Sequence, residues 1–120
     1  MSYMFVAAFN KELDGLIDLV QKKFPDDVDV CQTKSKIELA NYMSPKAAAV
    51  GFMEFALNVV DEIKRRDDAF FLEKGSQVPD LAHLKLDEKW SSFTSDEKRQ
   101  LWDHVQAMEK WGRKMLLSSS

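Results

Sequence analysis

An all-α fold follows from three features of this 120-residue chain. Apolar residues recur at steps of three and four through residues 3–24, 45–66 and 95–117, which is the spacing of one helical face. Those stretches begin or end on breaker and cap residues: Pro25, Ser44-Pro45 and Thr94. The connections between them are short, which forces sequential helices to run antiparallel. The expected architecture is an irregular antiparallel bundle of four main helices with one or two short helical turns. It forms a single domain over 1–117 and leaves a polar tail at 118–120. A hydrophobic content of 45% is enough to fill such a core without covalent staples.

The first helix is expected over 3–24. Phe5, Phe9, Leu13, Leu16, Ile17, Val20 and Phe24 share its apolar face, with Lys11, Asp14, Asp18 and Lys22 opposite. Leu19 falls off that stripe. Pro25 ends the helix, because the residue before a proline avoids the α region. Asp26-Asp27 then sits where a second helix, 28–42, begins; carboxylates are favoured there by the unpaired N–H groups and the dipole. Its apolar residues are few: Val28, Val30, Cys31, Ile37, Leu39, Ala40, Tyr42 and Met43.

The third helix is expected to run unbroken over 45–66. Ser44 is a cap-type residue and Pro45 fits the first turn. At about 100° per residue, Phe55, Ala48, Val59, Phe52, Ile63, Ala56, Ala49, Val60, Met53 and Leu57 make one continuous apolar face. That face spans roughly 200°, against the ~100° stripe of an ordinary surface helix. This segment is the expected spine of the domain. Lys64, Arg65 and Arg66 close it with cations at the favourable end.

Asp67-Asp68 and Ala69-Phe70-Phe71-Leu72 read as a cap and a helical turn stopped at Gly75. Residues 76–80, with Pro79, read as a loop, and 81–92 as a short helix carrying Leu81, Leu84 and Trp90. Thr94-x-x-Glu97 is a capping box. It opens the last helix, 95–117, whose stripe is Leu101, Val105, Met108, Gly112 and Met115, flanked by Trp102, Trp111 and Leu116. Gly51 and Gly112 each cost about 1 kcal/mol relative to alanine inside a helix, so close helix–helix approach is expected at both.

The chemistry is sparse. Cys31 is the single cysteine, which excludes an internal disulfide, and nothing beside it in sequence marks it as a nucleophile. Asp27, Asp29 and Glu38 match positions one, three and twelve of a calcium loop. Gln32 stands where that loop needs glycine, Cys31 holds position five, and Lys34 replaces the apolar residue at position eight. A capped helix start is the better reading. His83 with Asp87, and His104 beside Asp103, are too scattered for a zinc set. Gly15, Gly51, Gly75 and Gly112 are isolated, so no phosphate-cradling loop exists. No catalytic residue, cofactor site or metal site is expected.

Two kinds of surface remain. Asp67, Asp68, Phe70, Phe71, Trp102 and Trp111 form a candidate protein interface. Adjacent aromatics on one short turn either divide between the core and a partner or are both buried between helices. Lys64, Arg65, Arg66, Lys110, Arg113 and Lys114 are candidate anion contacts. The net charge of −3 weighs against a general nucleic-acid coat but leaves room for a local basic patch. Lys110, Arg113 and Lys114 beside Trp111, Met115 and Leu116 also suit a membrane-surface helix, although Asp103 and Glu109 mix the sign of that face. No run approaches the ~18 apolar residues of a membrane span. Met1 to Phe9 is apolar without a basic leader, and Asn10, Lys11 and Glu12 follow it, so a soluble intracellular protein is expected.

Several motifs carry a resemblance: Phe9-Asn10, Phe24-Pro25-Asp26-Asp27, Pro45-Lys46, Asp67-Asp68-Ala69-Phe70-Phe71-Leu72, and Trp90-x-x-Phe93-Thr94 followed by Glu97-Lys98 and Leu101-Trp102. In order and spacing they resemble a group of small uncharacterised proteins of large nucleocytoplasmic DNA viruses, including giant viruses and algal viruses. The resemblance covers nearly the whole chain, with Gly75 and Pro79 in a segment where such proteins are expected to vary. It implies a viral origin and brings no enzymatic activity or ligand with it. The functional expectation is a non-enzymatic protein-binding protein of such a virus. It would be a virion component or a host-factor binder, located in the host cytoplasm or nucleus or in the virion. The alternative is an accessory nucleic-acid-binding factor using the basic clusters at 64–66 and 110–114.

Overall fold

The computed structural model describes residues 3–118, and these are all-helical, with no strand among them. Helix α1 spans Tyr3–Lys23, α2 Val28–Met43, α3 Ala47–Ala56, α4 Val60–Arg65, α5 Ala69–Leu72, α6 Leu86–Lys89 and α7 Ser95–Ser118. Short 3₁₀ turns occupy Gly75–Gln77, Ala82–Leu84 and Trp90–Ser92. The expected tail at 118–120 starts inside α7, where Ser118 Oγ donates to Met115 O at 2.9 Å; Ser119 and Ser120 lie outside the described residues.

Helices α1 and α7 lie antiparallel along their length. Phe5 stacks on Trp111 with centroids 6.0 Å apart, Glu12 meets His104 at 2.8 Å, and Lys23 meets Glu97 at 3.0 Å. Gly15 is what permits this closeness: a Cβ there would stand 2.6 Å from His104 Cε1. Helix α2 returns antiparallel on another side of α1, with Lys34 3.1 Å from Gln21 Oε1 near one end and Asn10 sharing a cleft with Asn41 near the other. The capping box is formed as expected. Thr94 N donates to Glu97 Oε1 at 2.8 Å, and Glu97 N donates to Thr94 Oγ1 at 3.1 Å. Asp27 caps α2 by accepting from Val30 N at 3.1 Å.

The spine is not one helix. It breaks between α3 and α4, where Val59 takes φ −133°. The cause is local. Asn58 Nδ2 donates to Glu54 O, the carbonyl its own main-chain N–H would use, and that N–H bonds Phe55 O instead. Both halves still turn apolar residues inward: Ala48, Ala49, Phe52, Met53 and Ala56 from α3, and Val59 and Ile63 around α4. Phe55 and Val60 are half-buried and Leu57 is exposed, so the buried face is narrower than expected. Gly112 lies directly under the Met53 side chain, as expected of a close approach, whereas a Cβ at Gly51 would make only ordinary contact with Pro79.

Residues 81–92 also form separate pieces instead of one helix. Lys85 sits in the left-handed region at φ 55°, which ends one turn and starts another. The buried Lys89 ties this segment to the start of α2. Its ammonium reaches Leu84 O at 2.8 Å and Asp27 Oδ2 at 3.2 Å, and lies 5.5 Å over the Phe24 ring.

Burial separates two phenylalanines of α3. Phe52 is 1% exposed and packs on Phe9 at 5.6 Å, so Phe52→Ala is expected to cost about 3–5 kcal/mol in urea unfolding. Phe55→Ala, at a half-buried position, is expected to cost about 1–2 kcal/mol.

Candidate functional site

The aromatic turn expected to offer a protein contact is part of the core. Phe70 and Phe71 are each 1% exposed. Phe71 stacks on Trp90 at 4.3 Å and meets Trp102 edge-on at 4.8 Å, while Phe70 packs against Phe55 and Trp102 at 6.0 and 5.6 Å. Adjacent residues on a short turn point in different directions. Both are covered here because α7 lies on one side and the 81–93 segment on the other. Trp102 is buried with them and donates its Nε1–H to Asp68 Oδ1 at 3.3 Å. Asp67, just before the N-cap residue Asp68 of α5, accepts from Ala69 N at 3.0 Å and pairs with Arg65 at 3.3 Å; that backbone bond, then Arg65, holds its carboxyl below the usual range. Phe70, Phe71 and Trp102 therefore do not form a surface, and Asp67 and Asp68 serve the local fold.

The two basic clusters are unlike each other. Arg66, at φ 53°, turns its guanidinium onto α7, where it meets Asp103 and Gln106 Oε1. Gln106 in turn donates to Ile63 O at 3.0 Å. Arg65 is paired with Asp67, and both Arg65 and Lys64 are exposed. In the second cluster Arg113 Nε is 3.5 Å from Glu109 Oε2. Lys110 and Lys114 lie 4.8 and 5.2 Å over the Trp111 ring.

The scattered histidine and carboxylate sets stay apart. His104 is engaged by Glu12, Asp29 pairs with Lys85 at 3.0 Å, and Cys31 is exposed with Gln21 Nε2 3.8 Å away. Among the described residues no group of three His, Cys, Asp or Glu side chains is placed to hold a metal ion.

What the structure brings together instead is α2 and the groove beside it. The inner face of α2 carries Val30, Thr33 and Ile37, all buried. Its outer face carries Val28, Gln32, Ser35, Leu39 and Tyr42 at steps of three and four, with Cys31 and Met43 beside them. All are exposed and none is charged; Leu39 is 61%, Met43 76% and Tyr42 89% exposed. The signal was present in the sequence, since the few apolar residues of this helix divide between opposite faces.

Between α1 and α2 runs a cleft of about 420 Å³ whose walls include Tyr3, Val6, Asn10, Asp14, Asn41 and Pro45. It meets, at Asp14, a smaller hollow of about 200 Å³ shared with Asp18, Lys34 and Glu38. Asn10 Nδ2 donates to Pro45 O at 3.0 Å, but Asn10 Oδ1 and Asn41 Oδ1 are both shut from solvent and find no partner within the protein. Burial raises the Asp14 carboxyl above its usual range, with Asp18 and Glu38 adding to the shift and Lys34 opposing it. These two amide oxygens are buried without a partner, as are Trp90 Nε1 and Glu109 Oε2 elsewhere in the fold.

No protein-family model, curated protein or solved structure matches this chain.

The raised Asp14 carboxyl has a signed consequence. Its charged form is penalised in the folded state, so that penalty is present above its folded pKa and vanishes below the unfolded value of about 3.9. Asp14→Asn is expected to melt higher than wild type at neutral pH, with the gap closing as pH falls through that range in parallel thermal scans.

Proposed function

We propose that this chain is a non-enzymatic protein-interaction component of a large DNA virus, acting as a virion component or a host-factor binder in the host cytoplasm, the nucleus or the virion. The viral assignment rests on the motif resemblance from Phe9-Asn10 to Leu101-Trp102. The interaction reading rests on one observation, the exposed apolar strip of α2 that runs between the exposed Lys36 and Glu38. Leu39, Tyr42 and Met43 stand at i, i+3 and i+4, the spacing with which a helix offers apolar anchors to a partner groove. Leaving large apolar side chains this exposed gains nothing for the fold, while covering them on a partner is favourable. An irregular antiparallel bundle, its third member broken at 57–59, is the scaffold in this reading.

The nucleic-acid alternative draws less support. Arg65 and Arg66 are already paired with Asp67 and Asp103, so that cluster offers little free charge to phosphate.

Affinity capture of the tagged chain from infected cells, with and without nuclease, tests the reading. A defined protein partner is expected to survive nuclease and to be lost with Leu39→Glu, a change expected to leave stability within about 0.5 kcal/mol of wild type. Recovery of nucleic acid alone, or a partner retained by Leu39→Glu, would count against this surface.

A further inference from the structure

Because α1 and α7 are antiparallel, residues 3–11 and 110–118 share one end of the molecule. Neither stretch contains an aspartate or glutamate, and together they carry Lys11, Lys110, Arg113 and Lys114. The nearest acid in sequence to the α7 cluster, Glu109, is 6% exposed and faces Arg113. In a chain of net charge −3, this end is therefore a local positive patch. Among the described residues, Lys110 and Lys114 are paired with the indole of Trp111 and with no carboxylate.

The same end exposes apolar side chains. Met4 is 68%, Tyr3 64% and Leu117 70% exposed, and Trp111 is half-buried against Phe5. From this pairing of charge and apolar surface we propose that the α1–α7 end docks peripherally on an anionic lipid surface. Lysines held over a tryptophan that is itself packed on Phe5 present fixed cations at the headgroup layer. Met4 and Leu117 would enter the acyl boundary beside it. Two signals of this kind, charge plus inserted apolar groups, are what reversible membrane attachment requires. Among the described residues no helix is long and apolar enough to cross a membrane, so the contact is confined to the surface.

A nucleic acid fits the patch less well. Base stacking needs an open aromatic face, and Trp111 is already taken by Phe5 and two ammonium groups. It would also leave Met4 and Leu117 in water.

The test is cosedimentation of the full chain with vesicles of phosphatidylcholine alone and with vesicles that also contain phosphatidylserine. The chain is expected to pellet with the second and not the first, and to be released by added salt. Each cation near such a surface is worth about fivefold in affinity, so the double variant Lys110→Glu, Lys114→Glu is expected to bind at least about thirtyfold more weakly. Met4→Ser, which leaves the charge alone, is expected to weaken binding severalfold. Circular dichroism melts matching wild type would establish that both variants are folded. The proposal is overturned by absence of binding to phosphatidylserine vesicles at low salt, by binding that the charge reversal leaves unchanged, or by a single-stranded oligonucleotide that binds more tightly than the vesicles and displaces them.

Discussion

Everything else in the molecule is built against the antiparallel contact of α1 with α7. It works because a glycine on one helix admits an imidazole of the other at van der Waals range, and because polar pairs fix the register on either side of that point. Glu12 with His104 and Lys23 with Glu97 cannot both form if the helices slide by a turn, since each pair would separate by about 5 Å. Exposed ion pairs add little stability one by one. Their value here is in selecting one register of an otherwise greasy seam of Phe9, Leu13, Leu16, Leu101, Val105 and Met108.

The rest of the chain closes over this pair by aromatic packing. Phe70 and Phe71 form an edge-on pair at 5.1 Å and reach Trp90, Trp102 and Phe55, so one short turn joins α3, α7 and the 81–93 segment. Large rings do this efficiently because each buries 150–250 Å² with few torsions to restrain. That explains how a stretch with no long helix, from Arg66 to Phe93, is held. Its three left-handed residues, Arg66, Asp80 and Lys85, each carry a backbone cost, offset at Arg66 by bonds to Asp103 and Gln106 and at Lys85 by the Asp29 ion pair.

Long periodic segments were legible from the amino acids: α1, α2 and α7 lie within a residue or two of their expected bounds, and the Thr94–Glu97 box forms the reciprocal bonds its spacing implies. The spine was misread because periodicity reports which residues face inward, not whether the hydrogen-bond ladder is continuous. Asn58 could take the Glu54 carbonyl without disturbing the apolar stripe. The 81–92 segment was misread because a lysine at φ 55° leaves no mark in composition. For the site, exposure was the hidden quantity. Phe70-Phe71 left two readings open, a partner contact or burial of both rings, until the segment that covers them was placed, and the two-faced division of α2 showed in the sequence only as a scarcity of apolar residues.

Where the surface departs from what stability alone would favour, the departures are concentrated. Asn10 and Asn41 leave acceptors unmet beside a carboxyl pushed above its normal range, and the adjoining helix turns Leu39, Tyr42 and Met43 to water. At the end of the molecule that holds Trp111, Lys110 and Lys114 have no carboxylate partner among the described residues, and Arg113 has Glu109. Interior polar groups are treated unevenly: the buried Lys89 has a carbonyl, a carboxylate and a ring, whereas Trp90 Nε1, in the core, has no hydrogen-bond partner. Local conflicts of this kind persist when something outside the fold resolves them. The two regions differ in chemistry: an apolar strip beside a largely acidic groove on one side, cations around an indole on the other. The two proposed contacts are therefore separable, and substitutions on α2 and on α7 would test each without disturbing the other.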